Sequence, residues 1–229
     1  MRKIQRIARL IALCCMIGFS ACDKEVAKPN EAVPPQPPIS KETDYKDVDL
    51  SSTHFYFAGH LNGEKLVMPA GHGGYESYAT AQEPTNFLEC VERQGMRLAR
   101  GLNLKQSVEV FLVKGSETCF SDCAQAEGLY RVGIYPFGKA NNVTQERVRD
   151  GVVIRYIEAD GKVWSTDFGT GDQTGSFFRI VAHRDNVTDT RSKKITTAEF
   201  SCKLYDGSGK ELLLTEAQII SRSVQCGHI

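Results

Sequence analysis

The chain has 229 residues, with 28 basic and 28 acidic side chains. Four of the basic residues lie within the first nine positions, so the remainder carries 24 basic against 28 acidic residues, a net charge of −4. This weakly acidic balance argues against a nucleic-acid partner and against a basic patch for a membrane surface.

The N-terminal segment has the pattern of a secretory signal peptide. Its first nine residues contain no acid, and residues 10–21 are apolar apart from Ser20. Twelve residues of helix reach only about 18 Å, whereas the hydrocarbon core of a bilayer is about 30 Å thick. We therefore predict that residues 1–21 are a cleaved leader and not a spanning helix.

The leader ends in "FSAC", residues 19–22. This tetrapeptide resembles the lipobox of bacterial lipoproteins, with Phe19 in place of the usual leucine. The resemblance implies that Cys22 becomes the lipidated first residue of the mature chain and is its membrane anchor. Several acyl chains hold a protein firmly, since each buried methylene contributes roughly 0.8 kcal/mol. The alternative is that Cys22 is an ordinary thiol, like Cys14 and Cys15.

The residues after Cys22 bear on which membrane carries the protein. Asp23 resembles an inner-membrane retention signal of some enteric bacteria. The charged stretch "CDKE", residues 22–25, also resembles the surface-export signals of Bacteroidota lipoproteins. We expect a lipid-anchored protein of the bacterial cell envelope, with the outer membrane favoured over the inner one and the leaflet left open.

Residues 23–52 are predicted to be a tether. They hold five of the eight prolines and few large apolar residues, so they cannot bury enough surface to offset the entropy of ordering. In extended polyproline II form, at about 3.1 Å per residue, thirty residues reach about 90 Å. Residues 53–229 follow as a single predicted domain.

This domain is predicted to be all-β. In "TAEFSCKLY", residues 197–205, Ala198, Phe200, Cys202 and Leu204 alternate with polar residues, as in a half-buried antiparallel strand. Similar runs occur at 54–59, 107–113, 129–135, 151–157 and 176–183. Only residues 122–127 suggest a helix.

Turn signals separate several of these runs. Asn62-Gly63 and Asp160-Gly161 lie between apolar stretches and predict type I′ hairpins, and "YDGSGKE" at 205–211 predicts a third turn.

The stretches "FAGHLNGEKLVMPAG", "IEADGKVWSTD" and "FSCKLYDGSGKELLLTEA" together resemble the β-sandwich domains of many Bacteroidota lipoproteins. The resemblance extends loosely over residues 55–222 and brings no assigned activity. It implies an antiparallel β-sandwich of about ten strands in two sheets.

Five cysteines remain in the mature chain besides the lipidated one. Three residues separate Cys119 from Cys123, so a disulfide can form between them if that segment turns. Cys202 lies on the apolar side of its strand and is predicted to be a reduced core residue. The pairing of Cys90 and Cys226 stays open.

Two loops are candidate binding sites. In "PAGHGGYESY", His72 is flanked by glycines, and Tyr75 and Tyr78 could stack on a sugar; the alternative is a plain surface turn. Residues 165–176 offer acids and carbonyls that could suit calcium, but their spacing is not that of a calcium-binding loop. We predict no metal and no cofactor.

Two classes of function fit this sequence. The first is a non-catalytic binding or interaction module of the cell envelope, whose ligand is an envelope protein or a glycan. The second is a hydrolase of envelope polysaccharide, with carboxylates contributed by separate strands. We favour the binding module because no catalytic motif such as HExxH or a nucleophile elbow is present.

Overall fold

The structure of this protein is a computed structural model that describes Leu50 and residues 53–82, 91–101, 105–115, 128–139, 150–187 and 194–223. These residues belong to the unit Thr43–Ile229. They form eleven strands: β1 Tyr56–Leu61, β2 Glu64–Pro69, β3 Tyr75–Gln82, β4 Val91–Arg100, β5 Lys105–Gly115, β6 Gly133–Ile134, β7 Asp150–Ile157, β8 Val163–Ser165, β9 Phe177–Asp185, β10 Lys194–Tyr205 and β11 Glu211–Ser223. Among the described residues, no helix is long and apolar enough to cross a membrane.

The strands pair antiparallel in the order β2-β1-β11-β10-β8-β7-β5-β4-β3. Strand β9 also pairs with β10, and the short β6 pairs with β9. The prediction of an all-β antiparallel domain with about ten strands is confirmed. Hydrogen bonds run along this path without a break, so the described strands form one continuous sheet and not the two separate sheets that we expected.

The sheet curls until β3 meets β11. Ser77 Oγ lies 2.9 Å from Ser221 Oγ, and the backbone N–H of Arg222 donates to Ser77 Oγ at 2.9 Å. The Arg222 guanidinium also donates to the carbonyl of Ser77 at 2.9 Å. These contacts bring distant parts of the sheet together, so the inward side chains of its strands share one core.

The alternation predicted for residues 197–205 is confirmed on β10. Its apolar side, from Ala198 to Leu204, is fully buried, while the residues between are partly exposed. The ring of Phe200 lies 5.7 Å from that of Phe178 and 6.3 Å from that of Phe57. Each such buried side chain contributes about 1.5–3 kcal/mol, which makes this aromatic group a centre of the core.

Two of the predicted turns differ in conformation. Asn62 and Gly63 have φ values of 50° and 84°, as a type I′ hairpin requires. At the second turn only Gly161 has a positive φ, so the type I′ prediction is wrong there. The Asp160 carboxylate instead accepts a hydrogen bond from the backbone N–H of Lys162 at 2.9 Å, which stabilises a different turn.

The predicted turn at 205–211 is confirmed. Asp206 Oδ1 accepts hydrogen bonds from the backbone N–H groups of Ser208 and Lys210. Its other oxygen lies 3.0 Å from Lys162 Nζ, so this turn and the preceding one are joined by an ion pair.

The predicted strand at 129–135 is shorter than expected. Only Gly133 and Ile134 pair with β9, because the chain leaves that strand after Tyr135 and crosses toward β7. The predicted helical segment at 122–127 lies outside the described residues.

Candidate functional site

The loop proposed from the sequence does not form one surface. Tyr75 is buried in the core, with 2% of its surface exposed, and its hydroxyl donates to Gln106 Oε1 at 2.6 Å. A buried ring cannot stack on a sugar, so the proposed role of Tyr75 is wrong. Tyr78 lies on the opposite face of β3, since side chains alternate along a strand.

The other two members of that loop have local partners. The backbone N–H of His72 donates to the carbonyl of Pro69, which closes the turn between β2 and β3. The hydroxyl of Tyr78 donates to Glu76 Oε2 at 2.7 Å, and this bond raises the pKa of Tyr78. A ligand role for His72 and Tyr78 stays a prediction.

Cys202 is a free, fully buried thiol, as the sequence predicted. Burial raises the pKa of this thiol, so it stays protonated and unreactive. The predicted lipidation at Cys22 and the predicted disulfide between Cys119 and Cys123 lie outside the described residues, as do Cys90 and Cys226.

The described residues form an open cleft with a volume of about 840 Å³. Its two walls are the segment 134–139 and the loop 167–177, and its lining mixes aromatic with polar side chains: Ile134, Tyr135, Pro136, Phe137, Lys139, Asp167, Thr170, Gly171, Asp172, Gln173, Thr174, Ser176 and Phe177. Its volume lies within the roughly 300–1,000 Å³ range of ligand-binding sites. Sequence reasoning identified the second wall as a loop with polar groups, but it did not identify the first.

Backbone hydrogen bonds to two strands fix the first wall. The N–H of Tyr135 donates to the carbonyl of Phe178 on β9 at 3.0 Å. The carbonyl of Pro136 and the N–H of Gly138 both bond to Val152 on β7, each at 2.9 Å. The segment therefore bridges β9 and β7 and forms one edge of the cleft.

Gln173 fixes the second wall by completing the hydrogen bonding of β10. Strand β10 pairs with β9 as far as Ser201 and with β8 at Tyr205, which leaves Lys203 between them. The Gln173 side chain fills that position: its Oε1 accepts from the Lys203 N–H at 3.0 Å, and its Nε2 donates to the Lys203 carbonyl at 2.7 Å. At Lys203, the side-chain amide of Gln173 thus makes the two hydrogen bonds that the backbone of a neighbouring strand would otherwise make.

Asp172 adds further bonds to the same loop. Its Oδ1 accepts hydrogen bonds from the N–H and hydroxyl of Thr174, and its Oδ2 lies 3.1 Å from Lys203 Nζ. The bonds from Thr174, followed by that from Lys203, lower the pKa of Asp172 to about 2. The carboxylate is therefore ionised at neutral pH, and its oxygens hold the loop in shape.

Other polar groups that line the cleft have hydrogen-bonding capacity that no described residue uses. Asp167 accepts a hydrogen bond from Ser165 at Oδ1, while its Oδ2 has no partner among the described residues. Within the same part of the chain, the side chains of Lys139 and Ser176 have no bonding partner, and Thr170 uses its hydroxyl only as an acceptor, from the Asp172 N–H. These groups are available to a ligand.

The apolar lining is also accessible. Phe177 is 44% exposed and Ile134 is 83% exposed, although both are large hydrophobic residues. Tyr135 is half-buried, because it contacts the ring of Phe178 edge-on at 6.2 Å and donates its hydroxyl to the carbonyl of Arg131. Among the described residues that line the cleft, Phe177 thus presents the most exposed aromatic ring, and polar groups lie beside it.

The calcium hypothesis for residues 165–176 gains no support from this geometry. The carboxylate of Asp172 is already bonded to Thr174 and Lys203. In the described part of the chain, no group of three or more His, Cys, Asp or Glu side chains could hold a metal ion.

No family model matches the sequence, no curated protein matches it, and no solved structure matches its fold.

Proposed function

We propose that this protein is a lipid-anchored lipoprotein of the bacterial cell envelope, whose all-β domain is a non-catalytic binding module. The open cleft between residues 134–139 and 167–177 supports this proposal, because an exposed aromatic ring lies there beside polar groups that have no partner among the described residues. Ligand sites combine aromatic and apolar side chains with polar groups that fix the orientation of the ligand.

The membrane anchor in this proposal is Cys22, at the end of the leader-like segment. The proline-rich residues 23–52 would then carry the domain away from the bilayer, with its cleft accessible to envelope components. The outer membrane is the favoured location. Labelling with radioactive palmitate tests the anchor: wild type should incorporate label, and a Cys22→Ala chain that still does so would contradict it.

The rival proposal is a polysaccharide hydrolase, and one observation bears on it. Asp167 and Asp172 line the same cleft, as the two carboxylates of a glycosidase do. Such an enzyme needs a carboxyl group whose pKa is raised, so that it can donate a proton. The pKa of Asp172 is lowered instead, and its oxygens are bonded to Thr174 and Lys203, so Asp172 cannot be that proton donor.

Affinity capture tests the role of the cleft. The full-length chain in detergent is used to capture components of its own cell envelope, beside a Phe177→Ala variant and a Val187→Ala control. Val187 is 93% exposed and lies outside the cleft lining. Wild type and the control should retain the same component, and Phe177→Ala should lose it. Equal capture by all three would reject the cleft as the ligand site.

The hydrolase is tested separately. Wild type and an Asp167→Asn variant are incubated with soluble envelope polysaccharide, and new reducing ends are counted. The binding module predicts no release by either protein. Release by wild type that disappears in Asp167→Asn would establish the hydrolase and overturn the proposal.

A further inference from the structure

We infer that the ligand of this cleft is an uncharged saccharide chain, an inference that rests on the proposed function. Three features of the described residues support it: an exposed ring, unpartnered groups suited to hydroxyls, and a charge balance close to zero.

The exposed ring is that of Phe177, at the start of β9. Phe178 next to it is fully buried, so Phe177 projects from the outer face of the strand, where 44% of its surface is exposed. The face of an aromatic ring is electron-rich and attracts weakly positive hydrogens. The C–H face of a sugar ring supplies such hydrogens over an area similar to that of the phenylalanine ring.

The unpartnered polar groups suit hydroxyls. Asp167 Oδ2 can accept a hydroxyl hydrogen, Lys139 Nζ can donate to a hydroxyl oxygen, and Ser176 Oγ can do either. A sugar offers several hydroxyls that both donate and accept. The cleft therefore matches a ligand with one C–H face and a polar rim.

The charges of the cleft argue against an anionic ligand. Lys203 is 3.1 Å from Asp172 and compensates it, which leaves Asp167 and Lys139 as one negative and one positive group. Among the described residues, no cluster of cations lines the cleft to bind a phosphate or a polyanionic chain. A saccharide without net charge fits this balance.

The loop of the second wall is organised before a ligand arrives. The Gln173 side chain bonds to Lys203, the Tyr205 hydroxyl donates to the Asp172 carbonyl at 2.6 Å, and Asp172 bonds to Thr174. Little conformational freedom of this loop is then lost on binding. A preorganised loop helps to bind a saccharide in particular. Each sugar hydroxyl loses hydrogen bonds to water when it binds, so each one contributes little to the affinity.

The test separates saccharide from protein ligands. The full-length chain in detergent is bound to an immobilised, delipidated envelope fraction of its own bacterium in three portions: untreated, digested with proteinase K, and oxidised with periodate, which cleaves sugar diols. Wild type should bind the untreated and digested portions and lose the oxidised one. Phe177→Ala and Asp167→Asn should each bind the untreated portion about tenfold more weakly, with Val187→Ala unchanged.

The failures of the two proposals are distinguishable. Binding that depends on Phe177 but is destroyed by proteinase K and survives periodate would overturn the saccharide and leave the binding module standing. Binding that is equal in wild type and the cleft variants, or no binding to any portion, would overturn both. Equal melting temperatures of the four proteins show that a loss of binding is not a loss of folding.

Discussion

At the scale of single residues, Asp172 makes the clearest prediction about pH. Its pKa is about 2 in the folded protein against 3.8 for an ordinary aspartate, because Thr174 and Lys203 stabilise the charged form. A lowered pKa contributes stability above pH 3.8, and this contribution is lost as the pH falls toward 2. Asp172→Asn should therefore lower the melting temperature at pH 7, with a difference from wild type that shrinks below pH 4.

The control for this experiment is Glu64→Gln, an exposed carboxylate with no bonding partner among the described residues. Its melting temperature should follow that of wild type throughout the titration. A constant difference between Asp172→Asn and wild type from pH 7 to pH 2 would show that the ionised carboxylate does not hold the loop.

Substitutions of Cys202 test the packing of the core at a single residue. It is 1% exposed and lies between Phe200 and Leu204 on the inner face of β10. Cys202→Ala should cost about 1 kcal/mol by leaving a small cavity, whereas Cys202→Asp should prevent stable folding because it buries an unpaired charge. Urea unfolding measures the first, and circular dichroism the second. Peptide mapping that links Cys202 to Cys90 or Cys226 would contradict its assignment as a free core thiol.

At the scale of elements, the close approach of β7 and the first wall of the cleft depends on Gly151. Its φ is 108°, and a Cβ there would lie 2.7 Å from the backbone N of Gly138 and 2.8 Å from the carbonyl oxygen of Pro136. Gly151→Ala should destabilise the protein by about 1–3 kcal/mol and displace this wall. Urea unfolding and the envelope-binding assay measure the two effects.

Gly161→Ala is the matched control for Gly151→Ala. Its φ is 92°, so it carries similar backbone strain, but no atom lies within 4 Å of its Cβ position. Gly161→Ala should therefore destabilise the protein less than Gly151→Ala does, and it should not change binding to the envelope fraction. If both substitutions have the same effect, the first wall does not pack against β7 as described.

The same elements show what the sequence could and could not predict. The period of two on β10 and the glycine of the Asn62-Gly63 turn are local signals, and both led to correct predictions. The site of Gln173 is different, because its side chain completes the ladder at Lys203, thirty residues away. The prediction for Tyr75 is wrong for a related reason. No local pattern shows that its ring faces the core of the domain and not solvent. No local pattern shows which distant strand a loop contacts.

At the scale of the whole molecule, the proposed arrangement is a β domain on a tether. We predict that residues 23–52 are accessible to protease and that the domain begins near Thr53. Limited proteolysis of the full-length chain should trim the segment before Thr53 and leave a resistant fragment from there onward, because β1 begins at Tyr56. Cleavage within residues 107–113 of β5 at a comparable rate would contradict this boundary.

We propose that a ligand from the cell envelope binds between residues 134–139 and 167–177. Hydrogen–deuterium exchange on the full-length chain, with and without the solubilised envelope fraction, tests it most directly. We predict slower exchange of backbone amides in both of these segments when the fraction is present, with no change at 62–69. Binding that slows exchange only around His72 and Tyr78, and leaves both walls of the cleft unaffected, would contradict the claim.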